Sequence, residues 1–399
     1  MKHIRPYGIF EASAAAAPAA LTPEQIEWLD NCTKGTWKLN HQTGLVDVEG
    51  DFDCSEQGLS DFKGVRFGVV RGRFNCEDNL LTSLVGAPRK VRGSFECENN
   101  HLTSLVGAPQ EVGGYFSCGH NRLTSLEGAP QEVGSFYCYN NLLTSLEGAP
   151  QKVGENFSCS GNRLTSLDGA PEKVRGSLSC GNNQLTSLVG APRKVGENFH
   201  CEDNQLTSLE GAPQKVGENF SCSGNRLTSL DGAPREVGGD FSCNNNRLTS
   251  LVGAPRKVGE NFHCEDNLLT SLEGAPQEVG VSFYCENNQL TSLVGAPQKV
   301  GSFSCGNNLL TSLEGAPRKV RFKGWFFCDD NPVPERTLKS IFSRMEKGES
   351  YLKAVEYLWP KIPLEDQVLL YRPEFKWVGA EEAKKLQAVG RFNKIKGIL

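Results

Sequence analysis

Fifteen cysteines in a chain of 399 residues could support three kinds of chemistry: disulfide cross-links, metal coordination, or nucleophilic attack by a thiolate. Their spacing points elsewhere. Fourteen of them (Cys54, Cys76, Cys97, Cys118, Cys138, Cys159, Cys180, Cys201, Cys222, Cys243, Cys264, Cys285, Cys305 and Cys328) recur mostly every 21 residues, with intervals of 20, 22 and 23. Zinc sites need close pairs such as Cys-x-x-Cys, and the sequence has none. A free cysteine at one fixed place of a repeat behaves as a small buried hydrophobe. The row therefore reads as a core ladder.

A second constellation is His-Cys-Glu-Asp, which occurs twice: His200 with Glu202 and Asp203, and His263 with Glu265 and Asp266. Alternation along a strand places each His and Glu on one face, a geometry from which a metal site could be built. At about 4.8 Å per strand the two copies would stand roughly 15 Å apart, too far to share an ion. Both copies also belong to duplicated text. VGENFSCSGNRLTSLDGAP begins at Val153 and Val216, and VGENFHCEDN at Val195 and Val258, each 63 residues apart. The array thus grew in blocks of three repeats, and duplication alone accounts for the pair. The expectation is a solvated acidic face with no metal and no cofactor, and these six residues are assigned to the concave surface that meets a partner. Tyr115, His120, Tyr137 and Tyr139 form a further set on consecutive repeats, with Tyr284 as a lesser echo. Exposed tyrosines of this kind suit the anchoring of a protein partner. No nucleophile–base arrangement and no Gly-Lys-Ser/Thr phosphate loop accompanies them, so no catalytic residue is assigned and an enzyme is not expected.

The elements that position these residues follow from the repeat. Phe-x-Cys reads as a three-residue strand with Phe and Cys inward and the middle residue outward. An Asn three places after each Cys (Asn79, Asn100, Asn121, and on to Asn308 and Asn331) can satisfy buried backbone groups of its own and the neighbouring repeat. Leu-Thr-Ser-Leu fills the next layer, Gly-Ala-Pro turns the chain, and a Val returns it to the core. A period of about 20–29 residues with this pattern signals a leucine-rich-repeat solenoid. The fold class is accordingly a repeat solenoid, α+β with dominant short parallel strands, of about 14 rungs over residues 51–331. Thr22-Pro23-Glu24-Gln25 opens a short capped helix; with a β-hairpin over Trp37–Leu39 and Leu45–Val48 it makes an N-terminal cap over 21–50. Residues 332–399 read as short helices, a C-terminal cap or docking module resting on Trp325, Phe326 and Phe327.

The stretch LTSLEGAPQEVGSFYCYNNLL, from Leu123 to Leu143, resembles the LPx-type leucine-rich repeats of bacterial effectors, the YopM and IpaH/SspH group. Leu123, Leu126, Ala129-Pro130, Val133, Phe136, Cys138 and Asn141 occupy that family's apolar, proline and asparagine positions, with Ala for Leu before Pro and Cys for an aliphatic residue. The resemblance covers the repeat array. It implies a curved solenoid with a parallel concave sheet, often used to bind proteins. The ubiquitin-ligase domain of the IpaH-type effectors is not matched, because the residues after Cys328 are too few for it.

The formal charge of −5 gives no reason to expect nucleic-acid binding through bulk charge, and no apolar stretch is long enough to span a bilayer. Convex Arg-Lys pairs (Arg89-Lys90, Arg193-Lys194, Arg256-Lys257, Arg318-Lys319) oppose the more acidic concave edge. Residues 1–20 read as a disordered tail; Ile9-Phe10-Glu11 before Ala12 is also similar to the cleavable capsid-targeting peptides of large tailed phages. The expectation is a cytoplasmic, monomeric interaction scaffold binding a protein through its concave face, and the second reading is a protein packaged in a virion.

Overall fold

A two-residue strand cannot hold itself, so each Phe-x-Cys segment depends on the equivalent segment of the next repeat. The computed structural model describes residues 20–320, 325–373 and 375–396; the tail and its Ile9-Phe10-Glu11 motif lie outside them. The chain divides into two compact units, one ending at Gly134 and the other beginning at Ser135.

In the first unit, helix α1 (Pro23–Cys32) starts at a complete capping box: Gln25 N donates to Thr22 Oγ1 and Thr22 N donates to Gln25 Oε1. Directly after it, Thr33–Lys34 pairs antiparallel with Asp51–Asp53 and covers the open edge of the first rung. Two residues carry no strand pattern of their own, so the sequence does not mark this strand. The hairpin is present, with Trp37–Asn40 against Leu45–Val48 in antiparallel register. Asp51–Asp53, Phe74–Asn75, Phe95–Glu96 and Phe116–Ser117 then stack in parallel. A second parallel ladder runs beside them: Leu45–Val48 pairs with Phe67–Val70, then Lys90–Val91 and Glu111–Val112. The recurrent Val therefore does more than return the chain to the core. It belongs to a second row of short strands.

The second unit repeats the arrangement. Its main ladder runs from Phe136–Tyr137 to Phe326–Phe327, and Lys194–Val195, Lys215–Val216, Glu236–Val237, Lys257–Val258 and Glu278–Val279 form the other. The core is a column of parallel rings. Phe199, Phe220, Phe241 and Phe262 stack with centroids 5.4, 5.3 and 5.4 Å apart, and Leu178 replaces the ring in one rung. The cysteines line the next row, fully buried, and their thiols donate across to the following rung, as from Cys201 Sγ to Ser221 O at 3.1 Å.

Asparagine closes each corner. Asn204 Nδ2 lies 3.1 Å from Cys180 O, 3.2 Å from Cys201 O and 3.1 Å from Glu202 O, while its Oδ1 accepts from Leu185 N. One amide thus serves two rungs. At the Gly-Ala-Pro turn Gly211 has φ +91°, and a Cβ there would stand 2.5 Å from the Leu188 carbonyl carbon, so the turn admits only glycine.

Among the described residues four α-helices end the second unit: α2 (Glu335–Met345), α3 (Tyr351–Leu358), α4 (Leu364–Leu370) and α5 (Ala380–Ile395). Phe342 of α2 stacks on Phe326 at 3.9 Å, and Arg372 reaches back to Thr311 O at 3.2 Å. The expected three-residue aromatic platform is narrower than the sequence suggests. Trp325 and Phe327 stack on each other and stay exposed, because alternation turns both away from Phe326.

Replacing Asn204 by Ala would strand a buried N–H and leave its carbonyl partners short of donors. The variant is expected to lose about 3 kcal/mol in urea-induced unfolding of the whole chain.

Candidate interaction surface

The outward residues of the Phe-x-Cys strands form the surface to which the sequence assigns recognition. In the second unit the predicted pairs do come together. His200 Nδ1 stands 3.7 Å from Glu202 Oε2, and His263 Nδ1 stands 2.9 Å from Glu265 Oε1. His263 also stacks on Tyr284 of the next rung, with centroids 4.7 Å apart and planes at 12°, and Glu286 follows on the same face. The hydrogen bond to Glu265 raises the pKa of His263 against the opposing effect of burial. Burial raises that of Glu286, opposed by a hydrogen bond from Ser304. One carboxylate oxygen in each of Glu202, Glu265 and Glu286 is enclosed without a hydrogen-bond partner among the described residues. A cavity of about 610 Å³ opens here, lined by Glu265, Asp266, Glu286, Asp329, Asp330 and the exposed Phe327, among others.

Asp203 and Asp266 have a different position. Each follows the strand in a left-handed conformation, φ 54° in both, at the corner that other rungs fill with Asn99, Asn182, Asn245 or Gly161. Short polar residues and glycine tolerate that conformation, so the backbone accounts for the residue type. His120, with φ 51°, occupies the same corner in the first unit.

Tyr115 precedes its strand rather than lying in the middle of it. Its hydroxyl donates to Glu96, and burial followed by that partner pushes its pKa up to about 12. Glu96 in turn meets Arg73 at 3.2 Å, and Arg73 meets Asp53 at 3.5 Å. This network of the first unit went unnoticed in the sequence, although Glu96 holds the middle place of Phe-x-Cys, where it could have been found. Tyr137 and Tyr139 lie in the second unit, both half-buried, and the Tyr137 hydroxyl accepts from Asn156 Nδ2 at 3.4 Å.

The cysteines offer no reactive site. All fifteen are buried, and burial pushes Cys159 and Cys328 up to about 12, the wrong direction for a nucleophile. Among the described residues no group of three or more His, Cys, Asp or Glu could hold a metal ion, and no described helix is long and apolar enough to cross a membrane.

Stacked short parallel strands, a buried leucine and phenylalanine core and an asparagine ladder define a leucine-rich-repeat solenoid. Among solved structures the chain is similar to YopM from Yersinia enterocolitica, at 20% identity and a TM-score of 0.53 over 78% of this chain and 74% of that one. YopM from Yersinia pestis aligns at 16% identity and a TM-score of 0.48, covering 78% of this chain and 94% of that chain. The functional domain of InlJ from Listeria monocytogenes, which includes a cysteine ladder, aligns at 18% and 0.43, covering 70% and 63%. The first likeness is one of fold. No protein-family model and no curated protein matches the chain.

Two measurements check this surface. A thiol reagent is expected to modify no cysteine of the native protein and all fifteen after denaturation. Because the folded state raises the pKa of His263, its contribution to stability is present below the ordinary imidazole range and is lost as pH rises from about 6.5 through the folded value. In an NMR titration Glu265→Gln is expected to bring the His263 midpoint down.

Proposed function

We propose that this chain is a non-enzymatic interaction scaffold that docks a protein partner on the outward, expectedly concave, face of its Phe-x-Cys strands. The observation that carries this reading is the patch at His263, Glu265, Tyr284 and Glu286. There a flat aromatic pair lies beside half-buried carboxylates, each with an oxygen still lacking a donor. A partner side chain carrying N–H groups would fill that need, and the aromatic pair would supply contact area at little entropic cost. The inert thiols support a binding role over a chemical one, as does a fold often used for protein–protein interaction.

Affinity capture with the full chain from bacterial and host lysates, read by mass spectrometry, tests the proposal. A specific partner is expected, and the double variant Tyr284→Ala/Glu265→Lys is expected to weaken its binding by at least about tenfold. A partner held equally well by the variant, or no partner at all, would overturn the assignment.

A further inference from the structure

The strands that carry the recurrent Val also carry charge, one residue ahead of it. From Lys215 to Glu278 the signs alternate between neighbouring strands. Lys215 is in register with Glu236, Glu236 with Lys257, and Lys257 with Glu278, the last pair 3.5 Å apart. The preceding block of three repeats breaks the alternation. Lys194 faces Lys215 in register, and the bridge between Val174 and Val195 sets Lys173 beside Lys194. With Lys152, set beside Lys173 by the bridge between Val153 and Val174, four lysines stand in a row at about 4.8 Å per step. Like charges directly opposed on adjacent strands repel, and Lys173, Lys194 and Lys215 make no ion pair with a described residue.

The same three rungs hold a groove of about 1000 Å³, lined by Lys173, Arg175, Arg193, Lys194, Lys215 and a single acid, Glu172, besides small and apolar residues. Sixty-three residues further on, the copied block supplies an internal comparison. The equivalent positions are Glu236, Gly238, Arg256, Lys257, Glu278 and Arg235. Three cations and two acids there replace five cations and one acid. The fold therefore does not require the lysine row, because the same ladder forms with alternating signs and an ion pair.

We propose that this basic groove docks an acidic segment of a partner protein, laid across the rungs so that successive carboxylates meet Lys173, Lys194 and Lys215, with Arg175 and Arg193 at the sides. An extended segment presents same-face side chains about 6.8 Å apart, and flexible lysine stems span the difference from the strand spacing. The chemistry favours a peptide over a nucleic acid. No aromatic side chain lines the groove to stack a base, and the chain as a whole carries −5. The site lies on the Lys-Val strands, away from the Phe-x-Cys face, so it does not depend on the function proposed above.

Fluorescence anisotropy with the full chain tests it, using a short peptide of alternating Glu and Ala, its Gln analogue and an oligothymidylate at low salt. The Glu peptide is expected to bind, the Gln analogue not to bind, and the oligothymidylate to bind more weakly than the Glu peptide. Lys173→Glu/Lys215→Glu installs the charges that the second block already carries at Glu236 and Glu278. It is expected to melt no lower than the parent and to weaken the peptide by at least about tenfold, whereas Lys257→Gln is expected to leave binding unchanged. Absence of peptide binding, equal sensitivity to Lys257→Gln, or indifference to Lys173→Glu/Lys215→Glu would overturn the proposal. Tighter oligothymidylate binding lost in the same double variant would also overturn it, in favour of a nucleic-acid groove.

Discussion

A buried corner between two short strands has carbonyl groups that no strand pairing reaches, and in this protein one asparagine side chain per rung satisfies them. The amide of Asn204 meets carbonyls of its own rung and the one before it, and its oxygen takes an N–H from the earlier rung. Removing such partners from water without replacing them costs more than a two-residue strand can return. Phenylalanine stacking and cysteine burial depend on this closure, because only a fixed corner brings successive rings to 5.3–5.4 Å. The constraint is local and repeats unchanged. That allows a chain of two-residue strands to be ordered at all.

The cysteines follow from the same constraint. A thiol is small enough to lie beneath the corner, is apolar enough to be buried, and can still donate weakly to the next rung, as Cys264 Sγ does to Tyr284 O at 3.1 Å. Valine would fill the space and give no donor. Serine would add a hydroxyl that needs a stronger partner. The fourteen thiols of the ladder are thus accounted for by packing.

The sequence made the main ladder legible because its period is long and its Phe, Cys, Asn and Leu recur at fixed offsets. The cap helix was legible through Thr22 and Gln25. The second ladder was not, since two residues such as Lys215-Val216 show no alternation and acquire strand character only from their neighbours. Thr33–Lys34 was hidden for the same reason. The left-handed corner at Asp203 and Asp266 was not legible, because such a corner and an acidic surface select overlapping residue types. The tie of Tyr115 to Glu96, and of Glu96 to Arg73, depends on stacking between repeats that no single repeat reveals.

The two His-Cys-Glu-Asp copies show where specificity can arise in such an array. Their four residues are identical, and the residue that faces each histidine on the next rung differs. His200 faces Ser221 in register and keeps 3.7 Å from Glu202. His263 faces Tyr284, stacks on it, and closes to 2.9 Å on Glu265. The hydrogen bond to Glu265 raises the imidazole pKa, and burial of the ring opposes that rise. A copied motif therefore acquires its chemistry from an uncopied neighbour. In a block-duplicated solenoid the local environment of an outward residue is set by the pair it forms with the adjacent rung, and a surface residue read one repeat at a time cannot reveal it.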